Sequence, residues 1–281
     1  GDPGWGGRSM DAKGALRTVW MRDSGVIGYG DQFVQSSERH PMQDLATRLR
    51  ELGITGRRGV EMENYYYAAK AHIALTEALP EVEILDATAL VNWQRTVKSD
   101  EEIAFMRKAA RIAEKMVDGI LERVGPGLPR NELVAEIYRD AIRGVEGDWG
   151  DYPAIVPLLP SGADAAAPHL TWDGRPFANG EATFFELAGC YRRYHTPFCR
   201  TVFLGTPPDD ILRAEAALVE GLDAGLDAAR AGNRACDLAN ALAGPPARAG
   251  IERGARSGHA RRLSHPPARG PRAVFLRPVA A

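Results

Sequence analysis

Two residues stand where a folded chain seldom puts them without a use. Glu186 interrupts the otherwise apolar run Phe184-Phe185-Glu186-Leu187-Ala188. Burying a lone carboxylate costs several kcal/mol unless it is paired or hydrogen-bonded. The position therefore reads either as a buried group with a chemical task or as a water-facing residue on an edge strand. His169 lies in the loop segment Pro160-Ser161-Gly162 to Trp172, between two apolar runs. An imidazole that titrates near neutrality is a ready proton shuttle, and loops on a rigid sheet are where such groups sit. A loop histidine bonded only to backbone fits the same residues. His195 clusters with Arg192, Arg193 and Arg200 in a basic turn, which on charge alone reads as a solvated face. His40 opens a helix ahead of Pro41, His72 falls within a helix, and His259 and His265 lie in an arginine-rich end.

Other chemistries find no support. There is no Gly-x-Gly-x-x-Gly following a strand, no phosphate loop, no His-Glu-x-x-His and no Gly-x-Ser-x-Gly. The 281 residues are 44% hydrophobic and 26% charged with a formal net charge of -2. That is globular composition, long enough for two domains, with no bulk attraction to nucleic acid or to an anionic membrane. Three cysteines without short paired spacing fit a reducing compartment, so a cytoplasmic location is expected. No run approaches the ~20 apolar residues of a membrane span. The N-terminus lacks the apolar core of a signal peptide and does not begin with Met. An N-terminal portion is therefore expected to be missing.

These groups need elements to hold them. Leu16 to Trp20 and Gly25 to Gly28 read as strands. Pro41 to Leu52 reads as a helix with Leu45, Leu49 and Leu52 on one face. A strand at Gly59 to Met62, a helix from Tyr65 to Leu79 and a strand at Val82 to Leu85 complete a small α/β unit with a largely parallel sheet. After a hinge near Asn92 to Lys98, Ser99 with Glu102 forms a capping box ahead of a helix striped by Ile103, Met106, Ala110, Ala113 and Val117. Asn131 is the expected cap of the next helix. Ala154 to Leu159 reads as an apolar strand, Ala182 to Ala188 and Cys199 to Leu204 as a strand pair joined by a basic turn, and Ile211 to Ala229 as a helix. From Gly244 onward eight arginines face one acidic residue among repeated Pro and Gly, and no apolar period survives. This end reads either as a disordered basic tail or as a stretch whose coding has been disturbed.

Several motifs in combination carry a resemblance. Arg95-Thr96-Val97-Lys98-Ser99 to Ile103, followed by Met106 to Ala110, resembles the opening of the pita-bread catalytic domain shared by creatinase, prolidase and aminopeptidase P. Pro160-Ser161-Gly162 with His169 resembles that group's Ser-Gly loop and substrate-side histidine. Phe185-Glu186-Leu187-Ala188-Gly189 and Arg200-Thr201-Val202 resemble the strand pair that carries its first two metal ligands. Both ligand positions are Asp in the metallopeptidases; here they fall on Glu186 and on Pro197, which has no side-chain donor. Glu61 to Tyr66, Asp86 to Arg95, Gly150 to Gly162, Pro168 to Trp172 and Ala188 to Tyr191 are similar in particular to the ectoine hydrolase family.

The resemblance implies an α/β fold: a small creatinase-like N-terminal domain over residues 1–92, a pita-bread catalytic domain over 93–243 that is incomplete at its C-terminus, and an aberrant tail over 244–281. It implies hydrolysis of a cyclic amidine with no cofactor and no metal, with Glu186 and His169 as catalytic groups and Trp172, Tyr191 and His195 around the substrate. The implied partners are a small molecule (ectoine or hydroxyectoine) and a second copy of the chain, with no nucleic acid and no membrane. A metal-dependent Xaa-Pro dipeptidase and a degenerate, non-catalytic binding protein are the alternatives.

Overall fold

The computed structural model describes residues 4–18, 22–167 and 169–251, and the chain divides into two compact units whose boundary falls between Val97 and Lys98. In the first unit Trp5–Arg8 (β1) pairs in parallel with Val26–Tyr29 (β2), and Gly56–Val60 (β3) pairs in parallel with Val82–Asp86 (β4). The strands are parallel as expected, but they form two separate two-stranded sheets. Four of the five residues of β3, Gly-Arg-Arg-Gly-Val, are exposed, which leaves little apolar surface for a broader sheet.

Helices Ala12–Thr18 (α1), Pro41–Glu51 (α2), Ala69–Ala78 (α3) and Leu90–Gln94 (α4) complete this unit. The expected strand at Leu16 is instead the end of α1, because Ala12 and Ala15 favour helix and Ala15 is buried; Val19 and Trp20 lie outside the described residues. In α2 the inward face is set by Ala46, fully buried with Leu75, Leu79 and Val82, rather than by Leu45 and Leu52, which are exposed. His40 caps α2: its Nδ1 accepts from the Met42 N–H at 3.2 Å, and Gln43 Oε1 accepts the His40 N–H at 3.0 Å.

The second unit opens with the capping box read from sequence. Ser99 Oγ accepts the Glu102 N–H at 3.3 Å and Glu102 Oε2 accepts the Ser99 N–H at 2.7 Å, starting Asp100–Arg123 (α5). The buried stripe of α5 is Ala109, Ile112, Ala113, Met116 and Ile120, rotated from the expected one because this side meets the sheet and the next helix. That helix, Arg130–Arg143 (α6), is preceded by Pro129 in an extended conformation; Asn131 does not cap it, and its amide bonds the neighbouring Glu132 instead.

Ala182–Tyr191 (β5) and Tyr194–Phe203 (β6) form a ten-residue antiparallel ladder from Ala182↔Phe203 to Tyr191↔Tyr194. Arg192 and Arg193, at φ 50° and 66°, make the two-residue turn, whose left-handed backbone suits the twist of a hairpin. The expected strand at Ala154 to Leu159 reduces to bridges at Leu158 and Ser161 against β5. Pro157 and Pro160 lack the N–H groups a continuous ladder requires. Pro160 still accepts the Phe184 N–H through its carbonyl at 3.1 Å. Ile112, Met116, Leu133, Ile137, Leu159, Phe185 and Leu187 form the core between α5, α6 and β5.

Asp209–Ala228 (α7) and Ala235–Arg248 (α8) follow. The helix α8 runs through Gly244, past the point where the apolar period faded in the sequence, with Pro245 and Pro246 buried. It lies close to α7: a Cβ on Gly221 would stand 2.6 Å from the Leu242 carbonyl oxygen. Residues 252–281, which hold most of the arginine-rich end, lie outside the described residues. Among the described residues no helix is long and apolar enough to cross a membrane.

Candidate active site

Strand alternation sends Thr183, Phe185 and Leu187 into the core and leaves Phe184, Glu186 and Ala188 on the opposite face. Glu186 is not on an edge. Its backbone exchanges hydrogen bonds with Leu158 on one side, N–H to carbonyl at 3.1 and 2.9 Å, and pairs with Cys199 of β6 on the other. The carboxylate is half-buried, and no hydrogen bond or ion pair holds it among the described residues.

Across the ladder the neighbours on Glu186's face are Thr201, Cys199 and Pro197. Cys199 is exposed as a residue, but partial desolvation of its sulfur pushes the thiol up from its ordinary value, and the Glu186 carboxylate adds to the rise by disfavouring a second negative charge. Phe184 stands beside Glu186 on the same face and lowers the local polarity.

His169 is exposed in the loop between Ser161 and Ala182, and it makes no hydrogen bond to Glu186. The loop is tied on both sides. Leu170 accepts the Leu159 N–H at 3.3 Å, and the buried hydroxyls of Ser161 and Thr183 are 2.8 Å apart. Trp172, three residues on, is half-buried and packs edge-on to Tyr138 at 6.5 Å, so much of its indole serves the core.

Tyr191 and His195 do not join them. Tyr191 is five residues along β5 from Glu186, roughly 17 Å at strand rise. There Lys108 Nζ lies 4.9 Å from its ring centre and 2.8 Å from Asp148. His195 donates from Nδ1 to the Arg193 carbonyl and accepts the Ala154 N–H at Nε2, both at 2.9 Å. Both of its nitrogens are thus spent on backbone, which makes it a brace for the hairpin.

Sequence reasoning missed a group of charges below the His169 loop: Arg130, Asp164, Asp173 and Arg175. The only local signal was Asp173-Gly174-Arg175, a turn that looks solvated.

Residues 104–269 match the family model for metallopeptidase family M24. The chain is 51% identical to the ectoine hydrolase of Halomonas elongata over 99% of its own length and 72% of that protein. It is 36% identical to an uncharacterized hydrolase/peptidase of Sinorhizobium fredii, over 98% of this chain and 70% of that one. Among solved structures it is similar to a Xaa-Pro dipeptidase from Bacillus anthracis, with a TM-score of 0.73 and 20% identity over 92% of this chain and 67% of that one. The prolidase from Pyrococcus horikoshii gives a TM-score of 0.73 and 20% identity over 91% and 66%. At such identities the solved structures speak for the pita-bread fold alone.

Proposed function

We propose a function for this chain from the premise that it belongs to metallopeptidase family M24: it opens the cyclic amidine ectoine by adding water, and it does so without a metal ion. The observation that carries this reading is the half-buried Glu186 carboxylate, without a protein partner among the described residues, on a face whose cross-strand neighbours are Cys199 and Pro197. Identity of 51% to the Halomonas elongata ectoine hydrolase supports the choice of substrate.

A metal pair needs carboxylates able to bridge it. The donor set of the described residues does not fit one. Among the described residues no cluster of three or more His, Cys, Asp or Glu side chains could hold a metal, and Pro197 offers no donor where the family's pattern has its second aspartate. No step is therefore routed through a metal.

Ectoine's ring is an amidinium, a delocalised cation whose central carbon is electrophilic. Glu186 would hold that cation, and the nearby Phe184 ring would strengthen the pairing by excluding water. Water adds to the central carbon directly, or Glu186 adds first and water displaces it. Either way one C–O bond forms, one ring C–N bond breaks, and the leaving nitrogen takes a proton from His169. The product is an N-acetylated diaminobutyrate, balanced by one water.

The test is incubation of the purified protein with ectoine, with and without EDTA, following release of the acetylated product. EDTA-resistant turnover is the expected result. Turnover lost in EDTA and restored by Mn²⁺ would overturn the metal-free route. Cleavage of a Xaa-Pro dipeptide in place of ectoine would establish the dipeptidase reading.

A further inference from the structure

The loop that carries His169 is closed at its foot by a chain of charges. Arg130, the first residue of α6, has a side chain only 6% exposed. Its Nη1 donates to both oxygens of Asp173 at 3.3 and 3.4 Å, and the other nearby carboxylate, Glu181, is 3.8 Å away. Arg130 Nε is buried with no hydrogen-bond partner. Arg175 donates to the same Asp173 through its backbone N–H at 2.9 Å and its Nε at 2.7 Å, and its Nη2 reaches Asp164 at the other foot of the loop. The backbone follows suit: the Arg130 N–H donates to the Arg175 carbonyl at 3.1 Å, and the Phe177 N–H to the Leu128 carbonyl at 2.9 Å.

Residues 165–167 and 169–172, with His169 exposed among them, are therefore spanned at their base by Asp164–Arg175–Asp173–Arg130. A guanidinium this buried has Asp173 as its nearest counter-charge. Removing that carboxylate leaves the cation only the more distant Glu181, so the segment around Asp173 must shift to bring a closer partner or water. An apolar cluster could fill the same space, but it would not set a direction for the chain. The shared Arg130 Nη1 contact with both Asp173 oxygens and the double Arg175–Asp173 contact do.

We propose that Arg130, Asp173 and Arg175 are positioning residues that lock the His169 loop in one conformation and so fix where its imidazole stands. The inference rests on the reading of His169 as the proton carrier, while its main test does not need turnover. In full-length protein carrying ¹³C-labelled histidine, the His169 Cε1–H line is assigned by its loss in His169→Ala. Asp173→Asn is expected to shift or broaden that line while leaving the His72 and His195 lines in place. An unchanged His169 line in folded Asp173→Asn overturns the proposal. Should that variant not fold, Arg130→Met with Asp173→Leu removes both charges together, and an unmoved His169 line there overturns it equally.

With ectoine as substrate, Asp173→Asn is expected to lower kcat about ten- to a hundredfold, the scale of a misplacement near 1 Å, with KM within about twofold. In a His169→Ala background the same change should cost less than about a further twofold. Equal losses in both backgrounds would mark the chain of charges as a general staple and overturn the proposal. A moved His169 line with unaltered kcat would keep the positioning and refute the catalytic reading of His169 instead.

Discussion

Glu186 and Cys199 stand directly opposite each other across the β5–β6 ladder, a carboxylate and a thiol on one face of the sheet. Directly paired side chains on neighbouring strands have Cβ atoms about 4.5–5.5 Å apart, so a ligand paired with Glu186 also covers the sulfur. The thiol's pKa is raised, first by burial and then by Glu186. Cys199 should therefore react with iodoacetamide more slowly at pH 8 than a free thiol. In Glu186→Gln one of the two causes is gone, the thiolate fraction rises, and alkylation should accelerate. Ectoine should protect the thiol in the unsubstituted protein. Mass-spectrometric labelling of Cys199 reads all three, and protection that persists undiminished in Glu186→Gln would separate the ligand from the carboxylate.

Glu186→Gln keeps the shape and the ladder but removes the charge. It should lower turnover of ectoine by at least about a thousandfold, the scale for losing a group that acts in the transition state, with an unchanged circular dichroism spectrum. Normal turnover in this variant would remove Glu186 from the chemistry.

His40 caps α2 only while Nδ1 can accept the Met42 N–H, and burial, with Lys70 nearby, lowers its pKa. A histidine whose folded pKa lies below its unfolded value lends stability that is present above the unfolded pKa and is lost as pH falls through the folded one. The N-terminal unit should thus weaken as pH falls below about 6.5. His40→Asn keeps an acceptor at the cap and removes the titration. Melting curves at pH 5 and 8 should differ by less in His40→Asn than in the unsubstituted chain; an equal difference would clear His40.

At Gly189 the backbone of β5 lies hard against α5. A Cβ there would stand 2.2 Å from the Ala109 carbonyl oxygen and 2.6 Å from the Ala113 nitrogen, both backbone atoms that cannot rotate away. Gly189→Ala should cost about 1–3 kcal/mol through overpacking. Thermal unfolding should show a Tm lower by several degrees. A Tm equal to that of the starting protein would mean that strand and helix separate without penalty.

Some of this was legible in the residues alone. The box of Ser99 and Glu102 was readable because its bonds close within three residues and need nothing else. The β5–β6 pair was readable because the apolar runs Ala182 to Ala188 and Cys199 to Leu204, with a basic stretch between them, are local patterns; the structure carries both strands further, to Tyr191 and Tyr194. Where two elements compete on local grounds, the reading failed. The run from Leu16 to Trp20 reads as a strand in sequence, yet Leu16 belongs to α1 once Ala15 finds a buried place. The repeated Pro and Gly from Gly244 onward read as a change of character, yet α8 runs on through Pro245 and Pro246 to Arg248 because both prolines find buried places.

The sequence by itself determined that an apolar strand bears a carboxylate and that a histidine lies in the loop before it, and its resemblance to the pita-bread enzymes implied that Pro197 falls at one of their metal-ligand positions. Only the tertiary structure decided that Glu186 lies on an inner strand, that Tyr191 and His195 serve the hairpin's far end, and that Arg130 meets Asp173 across 43 residues. The reason is range. Hydrogen bonds within a turn depend on neighbours that the sequence states, while burial and charge pairing depend on which distant segments the core brings together.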